Sequence, residues 1–297
     1  MPNYENFITY DYWQYEAIRH MFALTAAVFA ASLVYFVMSV RTTIPRLRTT
    51  SYISAVVMIS AALELGGLWL LWNQAFDATS VMGEYTRVDG QIFSNGYRYA
   101  NWLIDVPMLL TQFIIVLGFM GAAFWKRWWP IASLGVAMIL TGYVGQYYEP
   151  QVAGFVEGDG SGFWIWGIIS WLLFFALLFF VHKAYRDGVG TLAPEAQKTM
   201  KIAWLILFFT WFLYGFAYLV PAFDQSATGV VVRQFGYTFA DIVSKTIFGV
   251  VLARVAMKQS AFENPAYRFG EPDPFSGDAV ATADAATLQR DRVVVVN

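Results

Sequence analysis

The residues best suited to chemistry are ionisable groups set deep in apolar runs, where each is costly unless paired. One run reads Tyr-Thr-Phe-Ala-Asp241-Ile-Val-Ser-Lys245-Thr-Ile-Phe. Asp241 and Lys245 are four apart, so on a helix they share a face. Two chemistries fit. One is a structural ion pair that holds the segment in a bundle. The other is a lysine amine, desolvated by burial, that condenses with an aldehyde to an imine which Asp241 helps keep protonated. A second run reads Arg98-Tyr-Ala-Asn101-Trp-Leu-Ile-Asp105-Val-Pro-Met-Leu-Leu-Thr-Gln112. At about 100° per residue, Arg98, Asn101, Asp105 and Gln112 fall within about a 60° sector. A cation, an amide, a carboxylate and a second amide in single file mark an ion or proton route. Interhelical hydrogen-bonding amides would account for Asn101 or Gln112 singly, but poorly for the whole stripe. A third run, Ser60-Ala-Ala-Leu-Glu64-Leu-Gly-Gly, holds a lone carboxylate that needs a polar neighbour or a proton.

These groups require a membrane scaffold. The 297 residues are 58% hydrophobic and 13% charged, against the quarter or so charged that a soluble domain carries. Mean hydropathy is +0.49, and the apolar runs are long enough to cross about 30 Å of hydrocarbon as helices. Seven spans are predicted: 15–40, 51–74, 98–122, 128–148, 162–186, 200–222 and 230–257. The expected fold is an all-α membrane protein, a seven-helix bundle over 15–258, with an N-terminal cap at 1–14 and a tail at 259–297. The tail is polar and rich in Pro, Gly, Asp and Ala, which predicts a mostly disordered segment ending in the apolar run Val293 to Val296.

Arg41, Arg46, Arg48, Lys126, Arg127, Lys183, Arg186, Lys198, Lys201, Arg254 and Lys258 fall in or beside loops at one end. Asp77, Glu84, Asp89, Glu149, Glu157, Asp159 and Asp224 fall at the other. Basic loops stay in the cytoplasm, so the N-terminus is expected outside and the C-terminus inside. The net charge of −2 gives no reason to expect a nucleic acid partner, and the absence of Cys excludes a disulfide framework or thiolate metal site. Met1 to Asp11 lacks a basic n-region and a small-residue cleavage site, so no cleavable signal peptide is expected. No internal repeat suggests an inverted-repeat transporter.

The pairing of Arg-Tyr-x-x-Trp-x-x-x-x-Pro around Asp105 with Asp-x-x-x-Lys at Lys245 resembles the microbial (type I) rhodopsins across all seven spans. The resemblance implies all-trans retinal held covalently on Lys245 as a protonated Schiff base. It implies a pocket of Trp102, Ser170, Trp211, Tyr214 and Tyr218, which spacing alone would assign to packing. Asn101, Asp105 and Gln112 are similar to the set found in light-driven sodium-pumping rhodopsins. A dedicated proton pump would want titratable groups where Asn101 and Gln112 stand, and Asp105 would repel chloride. Glu5, His20, Ser60, Glu149 and Arg233 also resemble that subfamily in local sequence.

The mechanism so implied has the protonated Schiff base block cations in the dark and pass its proton to Asp105 after isomerisation. Sodium would then sit transiently among hard oxygens of Asn101, Asp105, Ser60 and Asp241. Ser54 and Gln112 would line uptake. Arg98, then Glu5, Glu149 and Arg233, would line release. The resemblance further implies a bacterial inner membrane and a homo-oligomer, by analogy a pentamer, with His20 near a neighbour's Tyr97 or Gln91. Gln91 stands where an Asp is expected, Ala253 where a Gly often lines the uptake cavity, and Gly215 where many members have Pro. Each departs from the pattern and leaves the interfacial cation site, ion selectivity and absorption, respectively, open.

Glu64 is the residue least dictated by the family. It lies one turn outward from Ser60. One reading is a protonated Glu64 bonded to a backbone carbonyl or facing water near Gly66 and Gly67. The sharper expectation is a hydrogen bond, direct or through water, to Asp105 or Asn101, which would favour an ionised Asp105 and keep the pump working in mild acid. The alternatives to sodium transport are a light-driven proton pump with Asp105 as acceptor, a photosensor, and a seven-helix receptor or transporter without a chromophore.

Overall fold

The computed structural model describes residues 3–267 apart from Met82. Apolar runs in lipid must satisfy every backbone amide within the segment, which leaves helices. The chain runs through α1 (Tyr12–Ser39), α2 (Pro45–Ala75), α3 (Gly96–Val116), α4 (Gly121–Gln146), the single turn α5 (Glu149–Val152), α6 (Ser161–Val189) and α7 (Pro194–Phe223). All of these except α5 are long and apolar enough to cross a membrane. The seventh passage is continuous from Ala227 to Glu263 but changes pitch. It comprises α8 (Ala227–Asp241), a π turn (Ile242–Ile247) and α9 (Phe248–Glu263). Neighbours in sequence pack side by side, and α8 returns to α1, so the helices close into a ring. Between α2 and α3 a small hairpin of β1 (Phe76–Ala78) and β2 (Tyr85–Arg87) pairs Asp77 opposite Thr86. Tyr10 adds an isolated antiparallel bridge to Tyr85 of this hairpin; the other regular elements among the described residues are helical.

Several boundaries differ from the predicted spans. The third helix ends at Val116 rather than 122, because Gly118, at φ 87°, takes the left-handed conformation that closes a helix C-terminus. The fourth begins at Gly121, so Lys126 and Arg127 lie on α4 and not in a loop. Pro45 and Pro194 occupy first helical positions, where the missing N–H is no loss, and they start α2 and α7 six residues early. Arg46, Arg48, Lys198 and Lys201 therefore also sit on helices. The tail is corrected too, since α9 runs to Glu263. Ser260 Oγ donates to Ala256 O at 2.7 Å and accepts from Ile44 N, while Gln259 Oε1 accepts from Ala193 N. These bonds keep both residues buried against neighbouring segments. The predicted disorder beyond Tyr267, with the run Val293 to Val296, lies outside the described residues.

Candidate functional site

The π turn carries Lys245, buried to 2% exposure, at the centre of the ring. Such turns insert an extra residue into a helix and are frequent at functional sites. Lys245 Nζ donates to Asn101 Oδ1 at 2.7 Å and lies 3.0 Å from Asp105 Oδ2 and 3.1 Å from Asp241 Oδ1. The predicted face shared by Asp241 and Lys245 is therefore real, and the α3 stripe meets it. Asn101 Nδ2 in turn donates to Ser60 Oγ at 2.6 Å. Asp241 is more heavily bonded than Asp105. Arg98 donates to its Oδ2 at 3.0 Å, and Trp102 Nε1 and the Tyr214 hydroxyl donate to its Oδ1 at 3.2 and 2.8 Å.

Glu64 reaches the same centre. It makes no direct hydrogen bond to Asp105 or Asn101; its oxygens lie 3.6 Å from Arg98 Nη1 and 3.7 Å from Lys245 Nζ. The reason is geometric: Asp105 and Asn101 are already turned to Lys245, while the gap between the two cations faces α2.

Polar groups extend from this centre both ways. Toward the end with the basic residues, Gln112 Nε2 donates to Ser54 Oγ and Thr50 O, each at 2.6 Å. Toward the N-terminal end, Arg98 donates to Gln234 Oε1 and Thr238 Oγ1, and Gln234 Nε2 donates to Glu5 Oε1 at 2.9 Å. Arg233 pairs there with Glu5 at 2.9 Å and with both oxygens of Glu149. Burial pushes the Glu149 carboxyl up to about 7, although Arg233 pulls the other way. Thr50, Gln234, Thr238 and Asn95, whose Nδ2 donates to Glu5 Oε1 at 2.7 Å, carry no role in the sequence reading. For two of them the signal was present, since 234, 238, 241 and 245 follow one helical face.

Beyond Lys245 an apolar cavity opens between α3, α4, α6 and α7. It is lined by Trp102, Ser170, Trp211, Tyr214 and Tyr218, all five of the expected pocket residues. Met138, Ile139, Gly142, Gly167, Trp171 and Tyr237 also line it and carried no sequence signal beyond general apolarity. His20 is 77% exposed at its side chain, 3.5 Å from Glu16, and Tyr97 is also exposed. Within one chain neither touches the site.

Residues 16–259 match the family described as bacteriorhodopsin-like protein. The chain is a microbial rhodopsin. It is 27% identical over 157 residues to bacteriorhodopsin-I of Haloarcula marismortui, covering 60% of that relative's length, and 22% identical over 242 residues to the green-light absorbing proteorhodopsin of Gamma-proteobacterium EBAC31A08, covering 85% of it. Among solved structures it resembles xanthorhodopsin, a light-driven ion pump with a dual chromophore, at 27% identity and TM-score 0.76, covering 86% of this chain and 98% of that one. A thermophilic rhodopsin gives 27% identity and TM-score 0.77, with 86% and 99% covered. Members of the family are light-driven ion pumps, not enzymes, and bind retinal covalently. This rhodopsin fits such a group: an aromatic cavity suited to a polyene ends at a buried amine.

Proposed function

We propose that this rhodopsin is a light-driven outward sodium pump, with all-trans retinal carried on Lys245, the N-terminus outside and the basic end in the cytoplasm. The observation that carries the reading is the oxygen set at the Lys245 amine. The Asn101 amide, whose oxygen accepts from Lys245 and whose nitrogen donates to Ser60, stands where a proton pump would want a second titratable group, and Asp105 and Asp241 flank it. When bound, retinal supplies a light-driven displacement of positive charge at the end of the Lys245 side chain.

The protein's own groups do the rest. In the dark the positive end of Lys245, held between Asp105 and Asp241, repels any cation arriving from Gln112. Asp105 takes up the proton released at the end of the Lys245 side chain, which removes both charges and opens the way. Sodium, the cargo, then meets hard oxygens of Asn101, Ser60 and Asp241. Ser54 and Gln112 hold the uptake side in a neutral hydrogen-bonded pair that does not titrate. On the release side, Arg98 is drawn to Asp241 and Gln234, and Glu5 and Glu149 offer carboxylates beside Arg233.

The test is illumination of cells in NaCl with a protonophore. Sodium export draws protons inward and alkalinises the medium. If the light signal vanishes with the protonophore, the protein moves protons with Asp105 as acceptor. If no ion moves in either condition, a photosensory role replaces transport.

A further inference from the structure

The helix α1 brings a hydroxyl to the buried centre. Phe22, Thr25 and Phe29 lie along one stripe of α1, and all three are buried. The Phe22 ring centre lies 5.4 Å from the Arg98 guanidinium carbon, and the Phe29 ring centre lies 5.8 Å from Lys245 Nζ. Thr25 lies between Phe22 and Phe29 along the helix, one turn from each. Glu64 fills the gap between the two cations from α2, at 3.6 Å from Arg98 and 3.7 Å from Lys245.

The hydrogen bonding in this gap is incomplete. Thr25 Oγ1, both Glu64 oxygens and Arg98 Nε are buried without a partner. Hydroxyls elsewhere in the spanning helices bond their own backbone one turn back, as Ser32 does to Val28 O, Thr111 to Pro107 O and Thr141 to Ala137 O. Thr25 does not use its hydroxyl in this way. Converging unsatisfied donors and acceptors are what a buried water needs, with two to four partners.

We propose that Thr25 is a positioning residue for Glu64, joined to it by an ordered water. The water donates to a Glu64 oxygen, accepts from Arg98 Nε–H and shares its remaining bond with the Thr25 hydroxyl. The charged groups facing Glu64 are Arg98 and Asp105 from α3, and Asp241 and Lys245 from the seventh helix, while α1 adds the neutral Thr25. With α1 holding one side, the carboxyl keeps its distance from Lys245 instead of collapsing onto Arg98. The inference rests on retinal being carried by Lys245, and not on which ion is moved, so its test reads no transport.

The experiment uses the retinal-loaded protein and the infrared band of the Glu64 carboxyl, identified as the band lost in Glu64→Gln. Thr25→Val keeps the side chain's shape and removes the hydroxyl. It is expected to displace that band and to move the visible absorption maximum, and Thr25→Ser is expected to return both. In the Glu64→Gln background, Thr25→Val should move the maximum no further, because neighbours that act as one unit are non-additive. A visible band at wild-type yield reports that the bundle has formed; Thr25→Ala supplies the same deletion if valine disturbs packing. A Glu64 band unmoved by loss of the hydroxyl, or an equal spectral shift in both backgrounds, overturns the proposal. A normal infrared result in a protein that moves no sodium would leave it standing and reject only the transport reading.

Discussion

Lys245 is the one buried lysine among the described residues, and its amine meets three side chains at once. Lys245→Ala is therefore expected to give a colourless, inactive protein, and a bleachable visible band in that variant would remove the attachment site from Lys245. Of its two nearest carboxylates, Asp241 is already engaged by Arg98, Trp102 and Tyr214, which leaves Asp105 the freer counterion. Asp105→Asn should absorb to the red at neutral pH, as wild type is expected to do on acidification, and lose transport; an unchanged spectrum would pass the counterion role to Asp241. Glu64 adds a third carboxylate to a centre with two cations, Arg98 and Lys245, so full ionisation would leave one negative charge in excess. A proton on Glu64, shared with Asp105 through water as the sequence leads one to expect, would favour an ionised Asp105. Glu64→Ala should move the acid-induced red shift to higher pH, and a spectral titration midpoint that stays where it was would uncouple Glu64 from Asp105.

Helices hold this chemistry in register by local devices. The π turn at Ile242–Ile247 widens the seventh helix where Lys245 leaves it. Thr111 caps the carbonyl of Pro107, where the proline interrupts α3, and receives a bond from Trp128 on α4. Close packing of α7 on α6 depends on Gly215, since a Cβ there would lie 2.2 Å from Trp171 Cζ2. Trp171 also lines the cavity. Gly215→Ala must displace that indole, with an expected loss of about 1–3 kcal/mol and a shifted absorption maximum. Thermal bleaching of the purified variant measures the first and its visible spectrum the second; wild-type values for both would mean that Trp171 moves aside freely.

Across the whole bundle the buried polar groups form two sets: Gln112 with Ser54 and Thr50, and a connected file from Ser60 and Asn101 through Lys245 and Asp241 to Arg98, Gln234, Glu5 and Arg233. Each buried charge in it has an opposite partner, as the low-dielectric interior requires. The outer faces are apolar, with Leu24 on α1 and Leu63 on α2 strongly exposed. Such faces meet lipid or another copy of the chain. A homo-pentamer with His20 against a neighbour's Tyr97 or Gln91 is the expected assembly. Mass measurement in a mild detergent should find it, with His20→Ala weakening it; a protein that is monomeric at all concentrations would reject the assembly.

Helix number, the Asp241–Lys245 face and the α3 stripe were legible in the sequence, because hydrophobic run length and helical period act along one segment and need no partner. The five pocket residues came from resemblance, since aromatics at helical spacing read equally well as core. Chain-local signals set the helix ends that hydrophobicity leaves loose: Gly118 stops α3, and Pro45 and Pro194 start α2 and α7, several residues from the ends of the apolar runs. Tertiary structure alone decided where Glu64 points. Its turn on α2 was predictable, but its partner depended on which neighbours had already spent their bonds on Lys245. Likewise the bonds from Gln234 to Glu5 and from Lys245 to Asn101 join segments far apart in sequence. Periodicity says which face a residue shares, and only packing says what that face meets.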